Sequence, residues 1–350
     1  MTGLLDPEQI VAQYHDILEP LFEMKGIEAF EFVCTLLQVG TDESIGWDPL
    51  QESREFVTDL SALSGMELPK KRLANAGRTR VRLALLYYSH LMEMAAPYHT
   101  IANLLRVRAG MPYVDDPFFH LVPRRPGGKE RRRSRWMGSA VGTHQKIDEI
   151  KRMAEVAGHP RVGRAFDAFY QPDLLRAVHE SGFVLRGGEL LMPRGPRARA
   201  GDEAGENTMP AEWLAEIFTR AYAYFHAFMK LETRARKEYA KLRGKCVPYE
   251  IELKALLELL FDKQEVLQGF KVHWPNKLES VFRRTGARCE LVNVKIDSDG
   301  SVNLYMGEIH RDHHPQTALV PKGGALEYTP AEGSDQPPRW PKGLESKPEE

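Results

Sequence analysis

Apolar residues recur every three or four positions along most of the chain, which is the spacing that places them on one face of an α-helix. The first helix is expected to begin at Pro7, because Asp6 suits the capping position and a Gln follows three residues after it. Pro20 is expected to kink or divide this helix. The longest helix is expected over residues 210–241, since Gly244 supplies a stop signal. A second apolar segment covers residues 27–37, and further helices are predicted at residues 80–94, 98–108, 147–154, 162–170, 172–180 and 249–261.

Beyond Gly269 the apolar positions alternate with polar ones, which is the period of a strand that buries one face. Phe270, Val272 and Trp274 follow this pattern. The run Asp297-Ser298-Asp299-Gly300 separates two later alternating stretches, which indicates a β-hairpin. We therefore predict a mainly α fold, with helical bundle-like regions and a small C-terminal antiparallel β appendage of three or four strands.

Changes of period and composition divide the chain into five regions. Glycines bracket one short extended stretch, residues 183–185, within the central helical part. The last residues are rich in Gly, Pro, Glu, Ser and Lys and have few apolar side chains, a composition typical of disorder. The regions are an N-terminal helical region at 1–122, a basic linker at 123–143, a central helical region at 144–267, an antiparallel β region at 268–320 and a disordered tail at 321–350.

The balance of charge and the few cysteines limit the classes of function. The chain has 48 Lys and Arg against 49 Asp and Glu, so as a whole it has no electrostatic preference for nucleic acid or for anionic membranes. Cys34, Cys246 and Cys289 are odd in number and far apart, which argues against a secreted disulfide framework. The N-terminus has no secretory pattern, and no apolar run approaches the ~20 residues of a membrane span. We expect a cytoplasmic protein with no membrane partner.

A strongly basic segment lies between the two helical regions, with Glu130 as its single acid and a Pro-Gly-Gly break. Such a segment has too little apolar surface to offset its ordering entropy, so one interpretation is a solvated linker. The other is a surface for the phosphate backbone of RNA, in which arginines make bidentate contacts and Trp136 offers a stacking face. The basic side chains are Arg124, Arg125, Lys129, Arg131, Arg132, Arg133 and Arg135.

Residues 172–185 read PDLLRAVHESGFVL, a helix with an arginine and a histidine that precedes a Ser-x-aromatic-aliphatic stretch. This segment resembles a pattern in uncharacterised bacterial helical proteins, which in turn resemble the HEPN class of helical domains. Residues 80–106, 269–274 and 299–302 also look like such proteins. The resemblance implies metal-independent RNA cleavage by a dimer, in which His179 moves a proton and Arg176 stabilises the charge of the phosphate.

The spacing within the segment departs from that of the HEPN class. The class has a longer interval between arginine and histidine and a polar residue after the arginine, whereas two residues separate Arg176 from His179 and Ala177 follows the arginine. Alignment on the Ser-x-aromatic end places Glu180 at the histidine position instead. Arg176 and His179 still share a helix face. The non-catalytic interpretation is a surface pair of Arg176 with Glu180, or a histidine near the helix C-terminus.

These departures lead us to predict a non-catalytic HEPN-like module that acts through self-association, as a homodimer, or through a partner. The alternative is a metal-independent endoribonuclease in bacterial stress or phage defence. Its catalytic residues would be Arg176, His179 and Glu180, with RNA held by the basic segment.

A second group of ligand-type side chains follows the predicted hairpin. Glu308, His310 and Asp312 alternate along the chain and suit a zinc or other transition-metal ion, whereas Pro315 and the surrounding charges indicate an exposed turn. No distant ligand group accompanies them, so we predict no metal and no cofactor. The chain also has no Gly-rich phosphate loop and no GxSxG, HExxH or CxxC motif, which excludes the common enzyme classes that use them.

Overall fold

The computed structural model describes residues 6–23, 30–40, 48–63, 76–122, 141–192, 207–250, 254–275, 277–285, 288–296, 300–304, 318–322 and 325–328. In this part of the chain more residues lie in helices than in strands, as the mainly α prediction requires. The helices are α1 (Pro7–Phe22), α2 (Phe30–Leu37), α3 (Gln51–Leu63), α4 (Ala76–Glu93), α5 (Ala95–Arg108), α6 (Thr143–Val156), α7 (Pro160–Arg164), α8 (Pro172–His179) and α9 (Ala211–Ala240). The strands are β1 (Val184–Arg186), β2 (Glu189–Met192), β3 (Asn207–Pro210), β4 (Cys246–Glu250), β5 (Lys254–Phe261), β6 (Leu267–His273), β7 (Glu279–Thr285), β8 (Arg288–Val292), β9 (Val294–Ile296), β10 (Val302–Leu304), β11 (Ala318–Lys322) and β12 (Ala325–Tyr328).

Most helices predicted from apolar spacing and end signals form close to the expected bounds. α1 begins at Pro7, and the carboxylate of Asp6 accepts a hydrogen bond from a first-turn backbone N–H at 3.0 Å. It continues through Pro20 instead of dividing there. α9 stops shortly before Gly244, whose φ of +70° is one that glycine adopts without a Cβ clash. The capping and stop signals are therefore confirmed for these helices.

The chain forms two compact units, and each is assembled from three separate stretches of sequence. Unit 1 consists of Met1–Pro20, Glu52–Tyr98 and Gly142–Leu231, and unit 2 consists of Leu21–Gln51, His99–Val141 and Glu232–Glu350. Neither unit coincides with one of the consecutive regions predicted from the sequence, because stretches far apart along the chain pack together in each.

Unit 1 is helical, with an aromatic core and a small antiparallel sheet in the order β1-β2-β3. Tyr14 of α1, Phe169 and Tyr224 of α9 are buried together, with ring centroids 5.2–6.1 Å apart. Aromatic rings at such distances gain attraction beyond simple burial, most of all in edge-to-face geometry. The ring contacts therefore join α1 and α9 to the segment that leads into α8.

Unit 2 contains a seven-stranded antiparallel sheet in the order β12-β11-β8-β7-β6-β5-β4. This corrects two predictions, because a small appendage of three or four strands was expected and residues 249–261 were expected to be helical. Leu256 and Leu257 explain the second error, since these neighbours point to opposite faces of β5 and both are buried. A strand that is apolar on both faces shows no alternation, so its pattern is easily confused with that of a helix. The predicted hairpin forms, with β9 paired to β10.

One face of this sheet packs on α2. The ring of Phe30 meets that of Phe270 on β6 at 5.1 Å between centroids, and Phe270 stacks on Phe282 of β7 at 5.8 Å. Gly269 makes the close pairing of β6 with β7 possible, because a Cβ there would lie 2.0 Å from the Phe282 carbonyl oxygen. The opposite face presents the alternate residues, including Lys271 and His273 of β6.

Two buried arginines bind the backbone where α2 ends. Arg236 donates a hydrogen bond to the Leu36 carbonyl at 2.6 Å, and Arg284 donates to the carbonyls of Leu37 and Gln38, the latter at 2.9 Å. The last carbonyls of a helix have no partner within the helix, so these guanidinium groups satisfy them inside the unit. Arg236 also pairs with Asp48 at 3.2 Å.

No helix in the described ranges has both the length and the apolar composition that crossing a bilayer demands.

Candidate functional site

The sequence-predicted residues lie on α8 and at its C-terminal end, in unit 1. Pro172 occupies the first helical position, and the apolar residues of α8 face the interior. Arg176 is partly exposed, whereas His179 and the C-cap residue Glu180 are exposed. The 3.6-residue period therefore places all three candidates toward solvent at the last turn of the helix.

Two neighbouring residues of α4 hold both ends of α8. The hydroxyl of Tyr88 donates to the Phe169 carbonyl at 2.9 Å and accepts from the backbone N–H of Gln171 at 3.0 Å, just before α8 begins. At the other end, Ser89 Oγ lies 2.7 Å from His179 Nε2. Burial raises the pKa of Tyr88, so its hydroxyl remains protonated. The histidine therefore takes part in packing α8 against α4.

Arg176 pairs with an acid on its own helix. Its Nη2 lies 2.8 Å from Asp173 Oδ1, and the two side chains are 39% and 58% exposed. The surface pair expected between Arg176 and Glu180 is therefore formed between Arg176 and Asp173. The structure consequently gives the arginine and the histidine different bonded partners, a carboxylate for Arg176 and a hydroxyl for His179.

The remaining sequence-predicted site residues lie outside the described residues. They comprise the basic segment, with Arg124, Arg125, Lys129, Arg131, Arg132, Arg133 and Arg135, and the ligand-type group of Glu308, His310 and Asp312. Both predictions therefore remain predictions.

A second cluster, on the sheet of unit 2, was not predicted. Register pairs Cys246 of β4 with Glu258 of β5, and Glu258 with Lys271 of β6. His273 lies two residues after Lys271 on the same face, and its register partner on β7 is Glu279. Four adjacent strands thus bring a thiol, an imidazole, two carboxylates and an ammonium group to one face.

The imidazole of His273 lies between two carboxylates. Its Nε2 is 2.8 Å from Glu258 Oε2, and its Nδ1 is 3.0 Å from Glu279 Oε1. The second oxygen of Glu279 lies 3.2 Å from Lys271 Nζ. The His273 side chain is 6% exposed and that of Glu258 is 30% exposed, so the cluster reaches solvent on the Glu258 side.

The electrostatics of the cluster follow from these contacts. The hydrogen bond from His273 is the main cause that lowers the pKa of Glu258. Burial, with a smaller contribution from the charge of Glu258, raises the pKa of the Cys246 thiol. The ligand atoms of Cys246, Glu258 and His273 all lie within 4.8 Å of one another, which makes this group of side chains a candidate for holding a metal ion.

This cluster was not predicted from the sequence because residues 249–261 were expected to form a helix. On a helix, Glu258 has no fixed relation to Cys246 or to His273. The alternation of Phe270 and Val272 did place Lys271 and His273 together on the other face of one strand. Only the register with β5 and β4 supplies the remaining side chains.

Comparison of the chain with protein-family models, with curated proteins and with solved structures returned no match.

Proposed function

We propose that the α8 region acts as a non-catalytic, HEPN-like module that works through self-association or a partner and does not cleave RNA. The contact between Ser89 Oγ and His179 Nε2, at 2.7 Å, carries the proposal. A histidine that moves protons in RNA cleavage must present a ring nitrogen to the reacting oxygen. In this protein the Nε2 atom of His179 is hydrogen-bonded to Ser89 of α4 instead.

The pairing of Arg176 supports the same conclusion with less weight. Asp173 neutralises the positive charge of Arg176, which a phosphate would otherwise bind. Its carboxylate would also repel the negative phosphate. An exposed pair of this kind is worth only about 0.2–1 kcal/mol, which an RNA ligand could offset. The engagement of His179 is therefore the stronger argument.

A metal-independent endoribonuclease is the second candidate function. It is favoured by the exposure of Arg176 and His179 on one turn of α8, and by a hydroxyl partner that fixes the orientation of the imidazole ring. In this alternative, Ser89 would orient His179 while the other ring nitrogen moves the proton.

An RNA cleavage assay separates the two functions. The full chain, incubated with structured RNA in excess chelator, is expected to leave the RNA intact. Cleavage that His179→Ala abolishes and that Asp173→Asn preserves would overturn the non-catalytic proposal and establish the ribonuclease.

Sedimentation velocity over a range of protein concentrations tests the self-association part of the proposal. A dimer is expected to accumulate as the concentration rises. A monomer at every concentration would exclude self-association and leave partner binding as the remaining form of the proposal.

A further inference from the structure

The cluster on the sheet of unit 2 involves none of the α8 residues. We propose that Cys246, Glu258 and His273 bind one divalent transition-metal ion, with Zn²⁺ as the best match, and that Glu279 holds the histidine ring in position. The inference goes beyond the function proposed above, because it concerns another unit and other chemistry.

The register of three neighbouring strands builds the ligand set. Cys246 and Glu258 are directly opposite each other on β4 and β5, and paired residues on one face have Cβ atoms about 4.5–5.5 Å apart. His273 lies on the third strand, diagonal to Glu258 on the same face. A sheet holds such positions more rigidly than a loop does, so the three ligand atoms converge without a change of backbone.

The distances suit a tetrahedral ion after small side-chain movements. Zinc bonds of ~2.0–2.3 Å at tetrahedral angles separate the ligand atoms by ~3.3–3.8 Å. The three ligand atoms lie within 4.8 Å of one another. His273 Nε2 and Glu258 Oε2, at 2.8 Å, must move apart by about half an ångström to admit the ion. Glu258 and Cys246 are both partly exposed, so these two side chains can make the movement while the buried His273 stays in place.

The chemistry of the donors determines the class of metal. Thiolate and imidazole favour zinc, cobalt and related transition metals, whereas magnesium and calcium favour oxygen ligands. Three protein ligands leave the fourth tetrahedral position for water. The thiolate and the Glu258 carboxylate together balance the charge of a divalent ion, which lowers the cost of placing it at a partly buried site.

Glu279 has the geometry of a positioning residue. Its Oε1 lies 3.0 Å from His273 Nδ1, so the Nδ1–H can donate to Glu279, and a metal ion that displaces the proton on Nε2 finds the lone pair of that atom directed toward Glu258. Histidines that bind metals usually donate their other N–H to a carboxylate or carbonyl in this way. The ammonium group of Lys271 lies 3.2 Å from the second oxygen of Glu279. Lys271 therefore pairs with a carboxylate that is not one of the three metal ligands.

The first test uses the wild-type full chain, freed of metal, and Zn²⁺ in competition with a chromophoric chelator. One equivalent is expected to bind and to protect Cys246 from alkylation by iodoacetamide, as mapped by mass spectrometry. Cys34 and Cys289 are buried, so their low alkylation provides an internal reference. Equal alkylation of Cys246 with and without zinc would overturn the proposal, and this measurement needs no variant.

The second test uses Co²⁺ as a spectroscopic probe. The wild-type chain is expected to show a near-ultraviolet thiolate-to-cobalt charge-transfer band, which Cys246→Ser should abolish. Glu279→Gln should weaken zinc binding by roughly 10–100-fold, the usual effect of losing such an orienting partner. His273→Gln should weaken it further. Excess Mg²⁺ or Ca²⁺ should leave the band unchanged.

His15→Ala is the matched control. His15 lies with Asp16 and Glu19 on one turn of α1, where three ligand-type side chains also come together but are more exposed. This variant is expected to keep wild-type zinc affinity and the cobalt band. A band that survives in Cys246→Ser, or an equal loss of affinity in His15→Ala and His273→Gln, would refute the assignment. Circular-dichroism melts of the metal-free variants check that each is folded.

Discussion

Replacement of Arg284 by methionine is expected to destabilise unit 2 by about 2 kcal/mol. Arg284 is 5% exposed, and its guanidinium group donates to the carbonyls of Leu37 and Gln38, where α2 ends. Its Cζ also lies 5.2 Å from the ring centroid of Phe282, so it joins α2 to the face of the sheet. The substitution removes both connections and leaves the carbonyls of the helix end without these donors.

The loss of stability is estimated from the hydrogen bonds of Arg284 that are removed and from the apolar surface of the methionine that is buried in their place. Two hydrogen bonds from a charged donor contribute about 1.5–3 kcal/mol each, so their combined loss is about 3–6 kcal/mol. A buried methionine recovers about 1.5–3 kcal/mol, and it carries no charge that must be desolvated. The difference between the loss and the gain runs from about 0 to about 4.5 kcal/mol, and its midpoint, about 2 kcal/mol, is the expected loss of unfolding free energy.

Urea unfolding followed by far-ultraviolet circular dichroism measures this loss, and hydrogen exchange locates it. The amides of α2 should exchange faster in Arg284→Met, because the end of the helix is the part released. Arg243→Met is the control, since Arg243 is half-exposed and forms a surface pair with Glu265 at 3.7 Å. Equal unfolding midpoints for wild type and Arg284→Met, with unchanged exchange in α2, would refute the reasoning.

Three further predictions concern other parts of the chain. Gly269→Ala should cost at least the roughly 1–3 kcal/mol of ordinary overpacking, because its Cβ would lie 2.0 Å from a carbonyl oxygen of β7; a urea midpoint equal to that of wild type would contradict this. Ser89→Ala should cost about 0.5–1.5 kcal/mol through the lost hydrogen bond to His179, and an unchanged thermal melt would count against that contact. The pKa of Glu258 in the folded protein is lowered mainly by the hydrogen bond from His273. The ionised carboxylate therefore stabilises the fold above the unfolded pKa of ~4.3, and this stability is lost as the pH falls through the lower folded pKa. Below about pH 4.3 the metal-free wild type should therefore lose stability more steeply than Glu258→Gln, and parallel pH profiles would exclude this contribution.

Local signals were sufficient for many of the elements. The capping residues at Asp6 and Pro7 determined where α1 begins, and Gly244 marked where the longest helix stops. The turn before Val302 correctly indicated a hairpin. These signals act between residues close in sequence, so they can be interpreted without knowledge of what packs against them.

The strands β4 and β5 show where local interpretation fails. Leu256, Leu257 and Leu260 match a helical period, but they lie in a strand, β5, in which Leu256 and Leu257 are buried on opposite faces. Pro248 lies in β4, and the tertiary arrangement tolerates it there because β4 is the edge strand of the sheet. Neither the covering surfaces nor the edge position can be recognised from the residues alone.

The two candidate sites also differ in how much of each could be predicted from the sequence. The sequence by itself determined that Arg176 and His179 share one turn of a helix, since a period of 3.6 residues requires it. The tertiary structure decided that His179 meets Ser89, which lies 90 residues earlier in the chain. It also decided that Cys246, Glu258 and His273 converge, because hydrogen-bond register between strands sets which side chains are neighbours. That register depends on the packing of the whole sheet, which no short stretch of residues specifies.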